Sequence, residues 1–392
     1  MPRDCTSAAP GRESSEHGAI TMQPTDAAEA MADFARHHVA PQKLWRAADF
    51  PWDIWQAMGA TGLFRIGLAE GGYSAIAAAD AALAEAGGAP GFASAWTGHQ
   101  LVARFMVHGF GTEQQRAAWM PGLASGKLTA CVAISEAGVG AHPKKLSTTA
   151  TLQDSEIRLD GEKAWVSNAP HADLVIVFAI SRMDGDRKRY SAYVVLKKTP
   201  GLSLIEGRDL GALRPSRHSG LQLAGCVVPS ANRLGPPDTA FEAMAIPFRD
   251  IEDAVAASGM TGTMRHLLHR LAAATDKNRD DAAAAALGAL AASVALASDA
   301  ATSLAIGLDA GSWRGGAAPA TLTGIRLLCE DLLTGMRRYR SDFAPGQDDA
   351  IDVLFGDIAL LLGVAKGPRM VKQGRIGMAL LRQAPTREEE GA

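Results

Sequence analysis

Cysteine is scarce and scattered: Cys5, Cys131, Cys226 and Cys329 are the only four in 392 residues. No two of them form a C-x-x-C pair. That spacing argues against a disulfide framework and a zinc site, and the chain is expected in a reducing, cytoplasmic compartment. A basic excess is equally missing. With 39 Lys+Arg against 42 Asp+Glu the net charge is -3, so there is no surplus to neutralise a nucleic-acid backbone. No uninterrupted apolar run reaches the ~18 residues of a membrane span. The Ala-rich stretch 282–297 comes nearest, but Gly288, Ser293 and the Asp280-Asp281 pair mark it as a helix of a soluble protein. Residues 1–23 lack the apolar core of a signal peptide and read as a disordered tail, with Met22 a candidate start. What remains is a globular composition: 47% hydrophobic and 21% charged residues are enough for a sizeable core in two or three domains.

From Asp26 to about Lys127 apolar residues recur at helical spacing. DAAEAMADFARHHVAPQ runs as a helix until Pro41, FPWDIWQAMGATGLF until Gly62, and SAIAAADAALAEAGG until Gly87-Gly88. Thr112 reads as the N-cap of a further helix that a Pro121-Gly122 pair should stop. From about Leu128 the pattern changes to short β-rich runs: LTACVAIS, LSTTATLQ, EIRLDGEKAWVS, DLVIVFAIS, RYSAYVVLKK, LSLIEGR and SGLQLAGCVVP. Their spacing is that of an antiparallel sandwich or barrel. After Pro229 helical periodicity returns, with segments at 282–306, 322–339 and 351–362. The expected fold is α+β: a tail 1–23, an N-terminal helical domain 24–127, a β-domain 128–238 and a C-terminal helical bundle 239–392.

Three ordered motifs then carry a resemblance. Gly111-Thr112-Glu113-Gln114-Gln115-Arg116 precedes the β-domain. Ser135-Glu136-Ala137-Gly138-Val139-Gly140-Ala141-His142 forms a loop inside it, and Asp160-Gly161-Glu162-Lys163-Ala164-Trp165-Val166-Ser167-Asn168 follows. Together with LGALRPSRHSGLQLAGCVVPSANRLG they resemble the acyl-CoA dehydrogenase family over about residues 28–265. The resemblance implies FAD between the β-domain and helical domains, an acyl-CoA thioester as substrate, and α,β-dehydrogenation. A carboxylate would remove the α-proton and the β-hydride would pass to the flavin. It also implies a homodimer or homotetramer and an electron-accepting flavoprotein as partner.

Residue by residue, Trp165 and Ser167 match the family's flavin contacts, Ser135 its ring-bonding Thr, and Val132 and Ile134 its backbone contacts. Taken alone, Trp165 would read as a core side chain and Ser135-Glu136 as a turn. Gly138-Val139-Gly140 should let backbone N–H groups approach a pyrophosphate. It is no Rossmann fingerprint, because Pro143 follows at once and a strand comes next. Gly140 and Ala141 stand where the family positions the CoA diphosphate. One hydroxyl is lost there, and Lys144 or Lys145 is at hand to supply charge. His142 reads as an exposed loop residue.

The base is expected on the first helix after the β-domain. The loop that carries it in one branch of the family is missing, and Glu388-Glu389-Glu390 reads as a solvated tail. Counting ten residues back from Gly262 in Gly259-Met260-Thr261-Gly262 selects Glu252; a register anchored on Phe248 would put Ile251 there. Asp253 stands where the family usually has Arg. The R-x-x-F-G and Q-x-F-G-G segments that reach the FAD of a neighbouring subunit are not visible, with Arg279, Arg337 and Arg338 the possible substitutes. Three readings stay open: a dehydrogenase with Glu252 as base, a non-catalytic or paralogous partner subunit, and a flavin monooxygenase on the same fold.

Overall fold

The computed structural model describes residues 22–68, 72–207, 211–276, 281–312, 318–364 and 366–383. Most of the expected tail, Arg279 and Glu388-Glu389-Glu390 lie outside them. The helical domain opens with α1 (Pro24–Phe34), which passes through a π-turn and a short 3-10 turn around Pro41. Helix α2 (Trp52–Ala60) ends ahead of Gly62 at φ 80°. Helix α3 (Tyr73–Gly87) is closed by Gly88 at φ 61°, the left-handed cap that glycine adopts without a Cβ clash. Helix α4 (Pro90–Leu101) starts on proline at its first turn, where the missing N–H has no partner to lose. Helix α5 (Glu113–Leu123) carries the expected cap: the Thr112 hydroxyl accepts from Gln115 N, and Gln115 Oε1 accepts from Thr112 N. The helix ends at Leu123, one residue past the Pro121-Gly122 pair expected to stop it. Pro121 lies within its last turn, where it removes a backbone donor.

Eight strands follow: β1 (Ala130–Ala133), β2 (Thr149–Gln153), β3 (Glu156–Ser167), β4 (Leu174–Asp184), β5 (Arg187–Leu196), β6 (Leu202–Ile205), β7 (His218–Pro229) and β8 (Arg233–Leu234). They form a sheet in the order β6-β7-β3-β2-β4-β5-β8, with β1 added on β4. The pairings are antiparallel except that β1 and β2 run parallel to β4. Period-two alternation gives the sheet two buried faces. Along β4, Leu174, Ile176 and Phe178 turn to the helical core, while Val175, Val177 and Ala179 turn to a core between the strands.

The C-terminal bundle comprises α6 (Ile246–Ala274), α7 (Asp281–Asp309), α8 (Ala318–Phe343), α9 (Asp349–Gly363) and α10 (Lys366–Gln383). Helix α6 joins the two helical cores. Phe248, Ile251 and Val255 enter the N-terminal core, and Met264, Leu267 and Leu271 enter that of the bundle. It crosses α3 closely enough that a Cβ on Gly262 would lie 2.2 Å from the Ala81 carbonyl oxygen. Gly262→Ala is therefore expected to destabilise the fold by about 1–3 kcal/mol through overpacking; an unchanged urea midpoint would show that the crossing can relax. Helix α7 is, by length and composition alone, apolar enough to cross a membrane, and little of it is buried. It is held against α3, α6 and α8.

Candidate functional site

The first part of the site is a loop tied shut by one carboxylate. After β1 the chain turns through Glu136, whose backbone N–H and C=O both pair with Gly140. Gly138 and Gly140 sit at φ 73° and 59°, with open space where a side chain would be. Glu136 Oε2 accepts from the backbone and hydroxyl of Ser147, and Oε1 from those of Thr148. The buried Lys163 ammonium donates to the same Oε1 and to the Ile134 carbonyl, both at 3.1 Å. Burial alone would raise the Glu136 carboxyl, but the Thr148 donors, the Lys163 charge and Ser147 together hold it at about 2. Burial draws Lys163 down to about 8 against the attraction of Glu136, so the pair is ionic at neutral pH. Lys188 fixes the far side of the loop by donating to the Lys144 and Leu146 carbonyls, and the Tyr190 hydroxyl donates to Pro143. Gly140, His142, Lys144 and Lys145 remain exposed and Ala141 half-buried.

The second part is a break in β3. Ile157, Leu159 and Lys163 point inward on alternate positions, and then the register against β7 shifts between Lys163 and Val166. The bulge puts Trp165 at φ 59° and leaves its indole 59% exposed. Positive φ is unusual for a bulky residue and is kept where surrounding structure fixes it. Here the fixing bonds are Ala164 N to the Ser135 carbonyl at 2.9 Å and the Lys163 contacts. Ser135 is thereby stitched beside the bulge, and Ser167 is exposed one residue past Val166. Asn168, also left-handed at φ 63°, donates to the Ala95 carbonyl and ties this end of β3 to α4. Val132 and Ile134 lie half-buried against the helical core. Bonds from Lys163 and Ala164 thus bring Ile134 and Ser135 up against the strand just before Trp165.

Glu252 is on a different element. Its side chain on α6 is solvent-accessible, whereas Ile251 is buried in the core and offers no proton acceptor. Desolvation by the surrounding protein, helped by Asp253, raises the Glu252 carboxyl to about 7 against Arg249 and Arg326. Asp253 is the opposite: buried, with Arg326 at 2.8 Å, Arg249 at 3.6 Å and Lys372 at 3.7 Å. Lys372 also pairs with Asp250 at 2.9 Å. The departure from Arg to Asp therefore comes with cations supplied from α8 and α10. Of the possible FAD substitutes, Arg337 lies 5.6 Å over the Phe355 ring and Arg338 lines a groove between α7 and α8. A larger cavity of about 690 Å³ lies between Trp45, His266, Arg270 and the start of α9, and none of the candidate site residues lines it.

An exposed indole held at an uncommon φ, a neighbouring serine, and a turn with room above two glycines fit a flat aromatic heterocycle with an anionic chain nearby. Sequence reasoning missed the Glu136–Lys163 pair. The signal was present, because alternation from Ile157 and Leu159 puts Lys163 on the inward face, where a lysine needs a partner.

Residues 23–127 match the acyl-CoA dehydrogenase N-terminal domain and residues 131–226 the middle domain. A probable acyl-CoA dehydrogenase of Bacillus subtilis (strain 168) is 29% identical over 232 residues, which are 57% of this chain and 60% of that protein. The human mitochondrial short-chain specific acyl-CoA dehydrogenase is 35% identical over 133 residues, 34% of this chain and 32% of the relative. The matched stretch thus spans less than two thirds of either curated relative. The fold is shared with butyryl-CoA dehydrogenase from Megasphaera elsdenii, at a TM-score of 0.80 and 18% identity over 92% of this chain and 99% of that one. With two successive domains matched and the bundle completing the same fold, the chain belongs to the acyl-CoA dehydrogenase family.

Proposed function

We propose that the protein is an FAD-dependent oxidoreductase that dehydrogenates the α,β-bond of an acyl-CoA thioester, with Glu252 as the base. The observation that carries this reading is the outward-turned Trp165 indole stitched beside Ser135 next to the open Gly138–Gly140 turn, with Glu252 the accessible carboxyl on α6, raised toward neutrality. A base poised near neutral pH is deprotonated in a large fraction of molecules and still strong enough to accept a proton from a carbon acidified by a thioester. FAD, when bound, supplies the acceptor for the β-hydride. Trp165, Ser167 and Ser135 would hold its ring system together with Val132 on β1 and Ile134 just after it. Gly140 and Ala141 would line the CoA diphosphate, with Lys144 and Lys145 providing the positive charge. Lys163 and Glu136 act as positioning residues that keep Ser135 and Trp165 in register.

The protein is further read as a homo-oligomer that passes its electrons to a second flavoprotein. It is read as cytoplasmic, in keeping with the free, buried Cys131, Cys226 and Cys329. The test is optical. Purified protein should carry a flavin absorbance band that bleaches on addition of acyl-CoA esters; bleaching with none of a series of chain lengths would reject the dehydrogenase. One observation favours a second reading, a non-catalytic or paralogous partner subunit. Helices α9 and α10 follow each other within a few residues, Gly363 to Lys366, which leaves no loop of the kind that carries the base in one branch of the family. That reading keeps flavin or subunit binding and loses bleaching.

Trp165 offers a smaller, separate check. Trp165→Ala is expected to weaken FAD binding by about 1–3 kcal/mol through lost contact area. Fluorescence titration would read this as roughly a tenfold to hundredfold higher Kd. An unchanged Kd would remove Trp165 from the flavin site.

A further inference from the structure

The homo-oligomer proposed above leaves open which surfaces meet, and the bundle offers two faces of opposite character. Helix α10 has five Lys and Arg residues and no acid over 18 residues. Arg369, Lys372 and Ile376 turn inward, with Lys372 on Asp250 and Arg369 donating to the Leu362 carbonyl. The opposite side presents two adjacent rows at helical spacing, Met370–Gly374–Gly377–Leu381 and Val371–Arg375–Met378–Arg382. Every residue in both rows is exposed. A Cβ at Gly374 or Gly377 would meet nothing within 4 Å, so a second helix can approach closely along this face. The counter-surface is a groove of about 320 Å³ between α7 and α8. It is lined by Ala289, Leu290, Leu332 and Phe343 and by the exposed Asp331, Arg338 and Asp342. Helix α7 itself carries Asp281, Asp299 and Asp309 and no cation.

We propose that α10 of a second copy lies in the α7–α8 groove, and that the exchange is reciprocal about a twofold axis. Rows of Met, Val and Leu interrupted by Arg375 and Arg382 match a groove lined by apolar residues together with Asp331 and Asp342. The lengths agree: α10 spans ~27 Å and α7 ~43 Å. A single chain carries both halves, so one symmetric contact covers both faces and buries the same surface twice, toward the about 1,200–2,000 Å² of a stable dimer. A membrane or an unrelated protein on α10 would leave the groove uncovered. This assignment rests on the homo-oligomer reading and specifies its interface.

The test uses the full chain. Light scattering should give a dimer or a multiple of one. Asp331→Arg with Asp342→Arg is expected to raise the dissociation constant about tenfold or more, and adding Arg375→Glu with Arg382→Glu should restore assembly. Mixing Met378→Cys with Ala289→Cys protein under oxidising conditions should give a cross-linked pair containing one of each. If the oligomer persists unchanged in all charge variants and no mixed pair forms, this interface is wrong while the oligomer stands. A monomer throughout the concentration range overturns both. Sedimentation of the chain with phosphatidylserine vesicles, lost on Met378→Asp with Leu381→Asp, would assign α10 to a membrane surface and overturn the proposal as well.

Discussion

Glu252→Gln is expected to abolish bleaching of the flavin by substrate while flavin content, helix content and CoA-ester binding stay as in the wild type. The amide has nearly the shape of the carboxyl and cannot accept a proton, so the loss falls on the chemical step rather than on binding. Removal of a general base predicts a rate lower by roughly 10²–10⁴-fold in stopped-flow measurements. Wild-type bleaching should rise with pH through about 7, where Glu252 loses its proton, and that rise should vanish in the variant. The stability consequence has a definite sign. A carboxyl whose folded value is raised from 4.5 to about 7 contributes stability fully present below 4.5 and lost as pH rises through 7. Glu252→Gln should therefore be no less stable than wild type at pH 8. Asp253→Asn makes a poor control despite its adjacency, because Asp253 is buried and holds Arg326. Equal bleaching rates in wild type and Glu252→Gln would reject the base.

The second large effect concerns the ion pair beneath the loop. Lys163→Met leaves Glu136 buried without its cation and Ile134 without its donor. Breaking one side of a buried pair is expected to destabilise the protein by about 3–5 kcal/mol. The same change should release Ser135 and Trp165 from their common register, so flavin should be lost on gel filtration. Adding Glu136→Gln should recover part of the stability, since the remaining partner is no longer an uncompensated charge. The pair also sets an acid limit. With the Glu136 carboxyl held at about 2 against an ordinary 4.5, its contribution is present above 4.5 and disappears as pH falls through 2. Denaturant midpoints measured at neutral pH for the two single variants and the double would decide this. Midpoints that simply add would mean that the two residues do not act as a pair.

Much of this architecture was legible in the residues because local signals agreed with the tertiary outcome. Thr112 caps the helix it was expected to cap, and the alternation in EIRLDGEKAWVS gives β3 from Glu156 to Ser167. Pro121-Gly122 marked the end of α5 to within one residue, since proline removes a backbone donor and glycine weakens a helix. The parallel pairing of β1 and β2 with β4 was out of reach, since strand spacing carries no information on direction when the partner is distant. At the site, motif spacing brought out Ser135 and Trp165 but gave no sign of the bulge that turns the indole outward. Glu252 and Ile251 were not separable by counting. One residue on a helix rotates a side chain by ~100°, and only the packed fold shows Ile251 inside and Glu252 outside. The burial of Asp253 among cations from α8 and α10 depends on contacts over more than seventy residues of sequence, which no local pattern encodes.

The clasp at Glu136 also makes the loop above it modular. One carboxylate holds both where the loop begins and where it ends, since Ser147 and Thr148 donate to the residue that opens the turn. A segment whose ends are joined in this way is an Ω-type excursion, anchored at its neck. The exposed side chains of its tip, Ala137, Gly138, His142, Lys144 and Lys145, can then vary in size and charge without touching the clasp, while the backbone of Pro143 and Lys144 stays tied to β5. The hydroxyl lost at Ala141 and the charge brought by Lys144 and Lys145 are a change of that kind. On the proposed function, the edge that would face the substrate is thereby anchored separately from the bulge that would hold the flavin, and exchange of the exposed residues of this tip is a route to altered ligand preference.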